Sequence, residues 1–308
     1  MKILIELPTW LGDAVMVTPA IENLVRHLSD VEITFLGSLI SIDALKNHPK
    51  VIKTYVVEKN FFHLYKTLRD FEDFDVFVSF RSSFRATIIK FFISSKNKYQ
   101  FNKKKYKKGH QVEKYNNFIN DSFKINTIAS RLILHLGKEN LNKKNKLLGI
   151  NPGATYGSSK RWYPKKFADV ATDLSSQYDI IIFGGPRERE IANDIEQYLI
   201  KNGVSNYQNL AAKITIKELG SKIANLDLFI TGDSGPMHLA AALQIPTVAI
   251  FGPTVDIETS QWMNVKSSIV KKNLECQPCM KRVCPLKHHN CMKLVEASDV
   301  LKAVKSLN

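Results

Sequence analysis

The sequence has no long apolar run. Polar or charged residues interrupt every hydrophobic stretch well before the roughly 20 residues that a membrane-spanning helix requires, which excludes a transmembrane segment. The N-terminal stretch does not have the pattern of a signal peptide either, because Glu6, Pro8, Gly12 and Asp13 break it and no small-residue cleavage site follows. We therefore expect a protein that is made and kept in the cytoplasm.

Cysteine is scarce, with 4 residues in 308, and all of them fall in one short segment near the C-terminus. That segment runs Cys276-x2-Cys279-x4-Cys284-x6-Cys291 and includes His288 and His289. The first pair has the spacing of metal ligands, whereas the later spacings do not fit a common zinc ribbon. Packed thiols in a reducing compartment, a structural zinc ion and disulfides all remain open as interpretations.

Acidic residues are nearly absent from the middle of the chain. Residues 81–146 carry 17 Lys or Arg against 3 Asp or Glu, a net charge of +14, which is nearly the whole formal excess of +15. Tyr106 is the only aromatic residue in the lysine run 103–108, which argues against the interleaved aromatic residues of a nucleic-acid surface. An anionic membrane surface is the favoured partner, with plain solvated surface as the alternative.

The length and composition suit two domains. At 308 residues with 44% hydrophobic content the chain can build two cores, and a polar, charged stretch over residues 136–146 divides it. On both sides of that stretch, strand-like and helix-like runs alternate, which predicts parallel sheets with helices on both faces. We predict an α/β fold with two Rossmann-like, doubly wound domains, residues 1–145 and 146–308. The amphipathic stretch 296–307 predicts a final helix that could pack across the boundary.

Two loops in the second domain have the chemistry of phosphate sites. Residues 231–238 read Thr-Gly-Asp-Ser-Gly-Pro-Met-His between an apolar run and a helix-forming run, and Pro236 suits a first helical turn. The free N–H groups and the dipole of such a helix favour an anion. Residues 151–162 follow another buried strand and supply Thr155 and Lys160. Because loops at the carboxyl ends of parallel strands bind ligands in open α/β sheets, the two loops together predict phosphate binding.

Asp13 follows the first predicted strand. We expect it on a loop ahead of a helix that begins near Thr18 and Pro19, a hydroxyl cap followed by proline. A carboxylate above the end of a strand suits a general base, although a lone Asp more often forms a turn or a cap.

These segments together resemble glycosyltransferase family 9, the lipopolysaccharide inner-core heptosyltransferases. The matching residues are Leu11-Gly12-Asp13, residues 151–153 through Lys160-Arg161-Trp162, residues 183–188, Gly232-Asp233-Ser234-Gly235 with His238, and residues 251–254. They occur in the family's order over nearly the whole chain. The cysteine segment and residues 109–115 look most like the heptosyltransferase II branch.

The resemblance implies the GT-B architecture, in which two Rossmann-like domains face a cleft, the first binding acceptor and the second binding ADP-heptose. It implies inverting transfer of L-glycero-D-manno-heptose to the heptose/Kdo inner core on lipid A, without a metal or other cofactor. Asp13 would be the general base, and Lys160 would stabilise the departing ADP. The donor-contacting residues so implied are Thr155, Tyr156, Lys160, Glu188, Ile214, Asp233, Ser234, Gly235 and His238.

The acceptor site is expected in the first domain. Arg81 and Arg85 follow a predicted strand and could pair with Kdo carboxylates or phosphates, and His110 and Glu113 could line the same region. The basic segment 81–146 would then hold the enzyme peripherally at the inner face of the inner membrane, with no nucleic-acid partner.

Two other functions remain open at this point. A nucleotide-sugar epimerase would share the fold and the phosphate-binding half. A basic nucleic-acid-binding module would account for the charge, but it would leave the paired phosphate loops without a role.

Overall fold

The structure is a computed structural model that describes residues 1–57, 71–136 and 145–307. It divides into two units, Met1–Leu136 and Gly137–Asn308, and each contains one parallel sheet. Most of the predicted boundary stretch, residues 136–146, lies outside the described residues.

The first unit is a five-stranded sheet with helices between its strands. Its described elements are β1 (Lys2–Glu6), α1 (Leu11–Met16), α2 (Thr18–His27), β2 (Glu32–Gly37), α3 (Leu39–Leu45), β3 (Val51–Val56), β4 (Phe74–Ser79), α4 (Phe84–Phe92), β5 (Ser95–Gln100) and α5 (Gln111–Phe123). The strand order is β3-β2-β1-β4-β5, so the order reverses between β1 and β4. The central strand β1 is apolar on both faces, and Ile3, Leu4 and Ile5 are fully buried.

The second unit is a six-stranded sheet of the same kind. Its strands are β6 (Lys146–Asn151), β7 (Tyr178–Ile182), β8 (Tyr207–Asn209), β9 (Leu228–Gly232), β10 (Thr247–Ile250) and β11 (Ser267–Val270). Its helices are α6 (Pro164–Leu174), α7 (Arg189–Lys201), α8 (Ile216–Ile223), α9 (Gly235–Ala242), α10 (Asp256–Thr259), α11 (Asn290–Lys293) and α12 (Ala297–Lys305), with short 3₁₀ helices at Ser158–Lys160 and Pro186–Glu188. The strand order is β11-β10-β9-β6-β7-β8, which reverses between β6 and β9.

The C-terminal part of the chain closes the core of the second unit. Helix α12 packs on α6 and β11. Trp162 is 1% exposed, its ring meets that of Phe167 at 4.8 Å, and its indole N–H donates to the carbonyl of Val295 at 3.0 Å. These contacts fix the chain directly after the loop that contains Lys160.

The predicted parallel, doubly wound sheets are confirmed in both units. Three strands were not predicted, namely β5, β8 and β11. Each is an edge strand of its sheet.

Candidate functional site

The second unit gathers polar side chains where its strand order reverses. Asn151 and Thr231 lie opposite each other at the carboxyl ends of β6 and β9. The Asn151 amide donates to Thr231 Oγ1 at 3.3 Å and to Ser234 Oγ at 3.0 Å, which ties the end of β6 to the start of α9. Asn151 was not predicted as a site residue, although a polar residue that ends a buried strand was a usable signal. Open α/β sheets bind ligands at this kind of reversal.

Lys160 and Asp233 form the charged centre of this region. The Lys160 ammonium makes an ion pair with the Asp233 carboxylate and also donates to the Asp233 backbone carbonyl at 3.4 Å. Thr254 Oγ1 donates to the same carboxylate at 2.6 Å. The two side chains are only 12% and 4% exposed, so water screens their attraction less than it would screen a surface pair. Two residues predicted separately for the donor site are therefore in direct contact.

Tyr156 lies beside two cationic groups. Its ring centroid is 4.8 Å from Lys160 Nζ and 5.4 Å from the Arg282 guanidinium carbon. Its hydroxyl donates to the carbonyl of Met280 at 2.8 Å. Cation–π attraction therefore holds both positive groups next to the ring, where they add to the field that an anion would meet.

Thr155 and Glu188 form a second connected group. Glu188 is 7% exposed, accepts the N–H of Gly185 at 2.7 Å, and accepts the Thr155 hydroxyl at 3.4 Å. A Cβ on Gly153 would lie 2.4 Å from Glu188 Cγ, so the glycine lets the loop after β6 lie directly on this side chain. The Glu188 carboxylate is thus fixed at the carboxyl end of β7.

The remaining predicted donor residues surround these groups. Helix α9 begins at Gly235 with Ser234 as an extended N-cap residue and proline in the first turn, as predicted, and His238 is buried within that helix. Ile214 is half-buried just before α8, in a segment that a hydrogen bond from the N–H of Ala212 to the carbonyl of Gly184 fixes at 2.8 Å. The Ile214 side chain is apolar and takes no part in the Lys160–Asp233 or Thr155–Glu188 groups.

The first unit has a matching polar group at its own reversal point. Glu6 and Ser79 lie opposite each other at the carboxyl ends of β1 and β4. Ser79 Oγ donates to Glu6 Oε2 at 2.6 Å, and Arg81 Nη1 donates to Glu6 Oε1 at 3.1 Å. Burial raises the pKa of the Glu6 carboxyl although both donors oppose the shift. Burial and the like charge of Arg81 lower the pKa of Arg85, so the two predicted acceptor residues lie within electrostatic reach of each other.

Asp13 lies in the first turn of α1, not on a loop as predicted. The helix begins at Leu11, directly after the extended Trp10, because Leu11, Ala14 and Val15 bury one face of it. The predicted helix at Thr18 is a second helix, α2.

Tyr115 contacts the Asp13 carboxylate. Its hydroxyl donates to Asp13 Oδ1 at 3.4 Å, and its ring packs between those of Phe80 and Phe101 with centroids 5.5 and 5.0 Å away. Burial, followed by the charge of Asp13, raises the pKa of Tyr115 well above its usual value. The hydroxyl therefore keeps its proton and remains a donor to Asp13. Tyr115 belongs to the family-like stretch 109–115, but no role was predicted for it.

His110 and Glu113 form the N-terminal cap of α5. Nδ1 of His110 accepts the N–H of Val112 at 3.3 Å, and Glu113 Oε2 accepts the N–H of His110 at 2.7 Å. This reciprocal pattern is a capping box, which satisfies the free N–H groups at a helix start. It gives both residues a structural role, and their predicted contact with acceptor stays a prediction.

One group in the described part of the chain has the side chains of a metal site. Ligand atoms of Glu22, His48 and His135 lie within 4.8 Å of one another. Nε2 of His48 and Nε2 of His135 are 3.2 and 3.3 Å from Glu22 Oε1. However, Nδ1 of His48 accepts the N–H of Lys50 at 3.1 Å, so the ring proton sits on Nε2 and points at Glu22. This tautomer offers no lone pair on Nε2, and the group is a hydrogen-bonded contact between α2 and residue 135.

The basic segment of the first unit carries exposed aromatic residues. Phe84 and Phe91 on α4 are each 79% exposed, and Phe92 is 53% exposed. The lysines of residues 103–108 are also exposed. Among the residues that the structure describes, no helix has both the length and the apolar character to cross a bilayer.

Comparison with known proteins connects these sites to one family. A family model for glycosyltransferase family 9 (heptosyltransferase) matches residues 95–290. The chain is 42% identical to lipooligosaccharide heptosyltransferase 2 of Campylobacter jejuni serotype O:2, over 100% of this chain and 98% of that protein. The solved E. coli ADP-heptose LPS heptosyltransferase II has a TM-score of 0.84 at 21% identity, covering 100% of this chain and 98% of that one. An E. coli heptosyltransferase solved with ADP has a TM-score of 0.80 at 14% identity, covering 100% of both chains.

The structural matches support the fold, because their identity to this chain is low. Both confirm two parallel-sheet α/β domains of the GT-B class. The family match and the full-length relative confirm the resemblance inferred from the motifs, including that to the heptosyltransferase II branch. The chain belongs to glycosyltransferase family 9, the heptosyltransferases.

Proposed function

We propose that the chain is an inverting heptosyltransferase of the heptosyltransferase II type. It moves L-glycero-D-manno-heptose from ADP-heptose to the heptose/Kdo inner core of lipopolysaccharide or lipooligosaccharide. The observation that carries the proposal is the ion pair of Lys160 with Asp233 at the β6/β9 reversal, beside the N-terminus of α9. A fixed cation next to free helix N–H groups is a site for a diphosphate.

In the donor half, Lys160 and the backbone amides of Ser234 and Gly235 bind the diphosphate. Negative charge grows on that group as the bond from the anomeric carbon to the phosphate oxygen breaks, so these donors act mainly in the transition state. Asp233 holds the Lys160 ammonium in position, and Tyr156 supports it through its ring. The fixed carboxylate of Glu188 accepts hydrogen bonds from the ribose hydroxyls, and Thr155 orients it.

In the acceptor half, Asp13 is the general base. It takes the proton of the attacking acceptor hydroxyl while that oxygen forms its bond to the anomeric carbon, and ADP leaves from the opposite face. Tyr115 orients the Asp13 carboxylate. Arg81 and Arg85 pair with carboxylates or phosphates of the acceptor, because guanidinium groups suit such bidentate contacts.

A transfer assay with two matched acceptors tests the function. The enzyme is incubated with ADP-heptose and either Kdo-lipid A or the same acceptor carrying one heptose, and products are identified by mass spectrometry. We expect one added heptose on the second acceptor alone, and transfer about 10²–10⁴-fold slower with Asp13→Asn. Transfer to the heptose-free acceptor alone would indicate heptosyltransferase I instead. Epimerised sugar nucleotide without transfer would indicate an epimerase instead. The family assignment disfavours both that function and a nucleic-acid-binding module.

We also propose that the basic segment holds the enzyme at the inner face of the inner membrane. Support comes from its +14 charge and from the exposed Phe84 and Phe91, which together fit an anionic surface with an apolar interior. Each basic residue near such a surface contributes about 1 kcal/mol, less at higher salt. Exposed aromatic rings add a salt-independent part.

Vesicle co-sedimentation separates these contributions. Lys103, Lys104, Lys107 and Lys108 changed to Gln should weaken binding to anionic vesicles by about 10²-fold or more at low salt. Phe84→Ser with Phe91→Ser should remove the binding that persists at high salt. The control changes Lys201, Lys217, Lys302 and Lys305 of the second unit to Gln, which alters the net charge equally. An equal loss of vesicle binding in the control would show that only the overall charge matters. Unchanged vesicle binding in both the lysine variant and the phenylalanine variant would contradict the proposal.

A further inference from the structure

The cysteine segment holds the residue that directly precedes Lys160 in the chain. That residue, Ser159, is 2% exposed, and the segment bonds its N–H, its hydroxyl and its carbonyl. The N–H donates to the Arg282 carbonyl at 3.1 Å, and the hydroxyl donates to the Lys281 carbonyl at 2.5 Å. The Ser159 carbonyl accepts from Nε2 of His289 at 2.9 Å. The segment and the Lys160 loop are therefore fixed to each other next to Lys160 itself.

The same packing brings the Arg282 side chain to Tyr156. A Cβ on Gly157 would lie 2.2 Å from the Arg282 carbonyl oxygen, so the two backbones are in direct contact. The Tyr156 hydroxyl donates to the Met280 carbonyl at 2.8 Å, and the Arg282 guanidinium carbon lies 5.4 Å from the centroid of the tyrosine ring. Lys160 Nζ lies 4.8 Å from that centroid. Two cationic side chains from distant parts of the sequence therefore share one ring.

The charges of these two cations are balanced differently. Lys160 makes an ion pair with the buried carboxylate of Asp233, and that pair has no net charge. The cysteine segment, residues 276–291, contains no carboxylate, and none of the described carboxylates forms an ion pair with the exposed Arg282. Arg282 therefore supplies the net positive charge that the ion pair lacks. A net positive charge beside a fixed cation attracts an anionic ligand.

We propose that Arg282 is a second cation for the diphosphate of ADP-heptose, carried to the donor site by the cysteine segment. This inference rests on the proposed function, because it assigns Arg282 to the ligand which that function requires. The guanidinium group offers several N–H donors in one plane, which suits phosphate oxygens.

The charge of Arg282 acts most strongly on the departing ADP. When the bond from the anomeric carbon to the phosphate oxygen breaks, its electron pair stays on that oxygen and the diphosphate gains negative charge. A cation beside the diphosphate therefore stabilises the transition state more than it stabilises bound ADP-heptose. The contacts of Ser159 with the segment matter here because they fix the backbone from which the Arg282 side chain extends.

Calorimetry with ADP and with adenosine, on the full-length protein, tests the proposal. Arg282→Gln should weaken ADP binding by about tenfold and leave the affinity for adenosine unchanged, because adenosine has no phosphate. Arg282→Lys should restore part of the lost ADP affinity, because it keeps a positive charge at this position. The matched control is Lys287→Gln, which removes another exposed cation of the same segment and should leave ADP affinity unchanged. An equal loss in the control would assign the effect to the overall charge of the segment and overturn the proposal.

A salt series separates the charge of Arg282 from its packing on Tyr156. The ADP affinity of wild type should fall more steeply with added salt than that of Arg282→Gln, because the variant has one fewer cation to screen. A loss of affinity that is the same at every salt concentration, or that extends to adenosine, would show that Arg282 only packs on the ring. Either result would overturn the proposal.

Transfer kinetics complete the test. Single-turnover transfer at saturating ADP-heptose should be about tenfold slower in Arg282→Gln, with the acceptor KM of steady-state turnover unchanged. Wild-type protein that does not bind ADP would refute the proposed function together with this inference. Wild-type binding of ADP that Arg282→Gln leaves unchanged would refute the role of Arg282 alone.

Discussion

Replacing Lys160 by Ala is the most direct test of the donor site. The ammonium is 12% exposed and is the charged group that faces the growing negative charge in the proposed transition state. Removing one fixed donor of this kind typically slows an enzyme by about 10²–10³-fold, or roughly 3–4 kcal/mol. We expect that loss in single-turnover transfer. ADP affinity measured by calorimetry should fall less, by about tenfold, because the ground-state charge is smaller.

The ion pair between Lys160 and Asp233 leads to a second prediction, about ADP binding by a double variant. In Lys160→Ala the Asp233 carboxylate keeps the hydrogen bond from Thr254 but loses its cation, so it repels the incoming diphosphate. The second change Asp233→Asn removes that charge while leaving a side chain of the same shape. We therefore expect the double variant to bind ADP more tightly than Lys160→Ala alone. Asp233→Asn alone should bind ADP less tightly than wild type, because Lys160 is then less well held.

Two results would refute this reasoning. ADP affinity of Lys160→Ala within about threefold of wild type would show that Lys160 does not meet the diphosphate. A double variant that binds no better than the single one would show that the Asp233 charge does not act on the ligand. Circular dichroism and melting temperature must be measured for each variant, since removing one partner of a buried ion pair also destabilises the fold.

Three further predictions concern the first unit. Asp13→Asn should lower turnover by about 10²–10⁴-fold with ADP affinity unchanged, and turnover above about a third of wild type would exclude Asp13 as the base. Tyr115→Phe should lower turnover about fivefold, equivalent to one hydrogen bond, without altering ADP affinity; an unchanged turnover would leave Tyr115 a packing residue. Burial raises the folded-state pKa of Glu6 above 4.5, so its contribution to stability is fully present below that pH and lost as pH rises through the raised value. The melting temperature of wild type relative to Glu6→Gln should therefore fall as pH rises above 4.5, and a rise would contradict this sign.

The sequence predicted the interior of both sheets better than their edges. The predicted strands β1, β4, β6 and β9 lie inside the sheets and are apolar because both faces are covered. The unpredicted β5 reads Ser-Lys-Asn-Lys-Tyr-Gln, and β8 has three residues. Edge strands carry charge and stay short because that prevents pairing with other chains, which also removes the hydrophobic pattern used to predict them.

Site residues were predictable where the chain itself places them at the end of a strand. Asp233, Ser234 and Gly235 follow β9 directly, and the 3₁₀ helix that ends at Lys160 follows the loop after β6, so motif and position agree. The contact of Asp13 with Tyr115 joins residues far apart in sequence, and no local pattern indicates it. The capping role of His110 was missed because histidine is an uncommon capping residue.

The contact between Gly157 and the Arg282 carbonyl limits which residue related enzymes can have at position 157. A backbone atom blocks the space that any side chain at residue 157 would need, so no change of rotamer can relieve the clash. A related enzyme that keeps the cysteine segment should therefore keep glycine at position 157. A relative that has lost the segment could have other residues there. A hybrid enzyme that took its C-terminal segment from such a relative would lose the carbonyls that hold Ser159. The loop and the tail therefore have to be transferred together in any recombination of these enzymes.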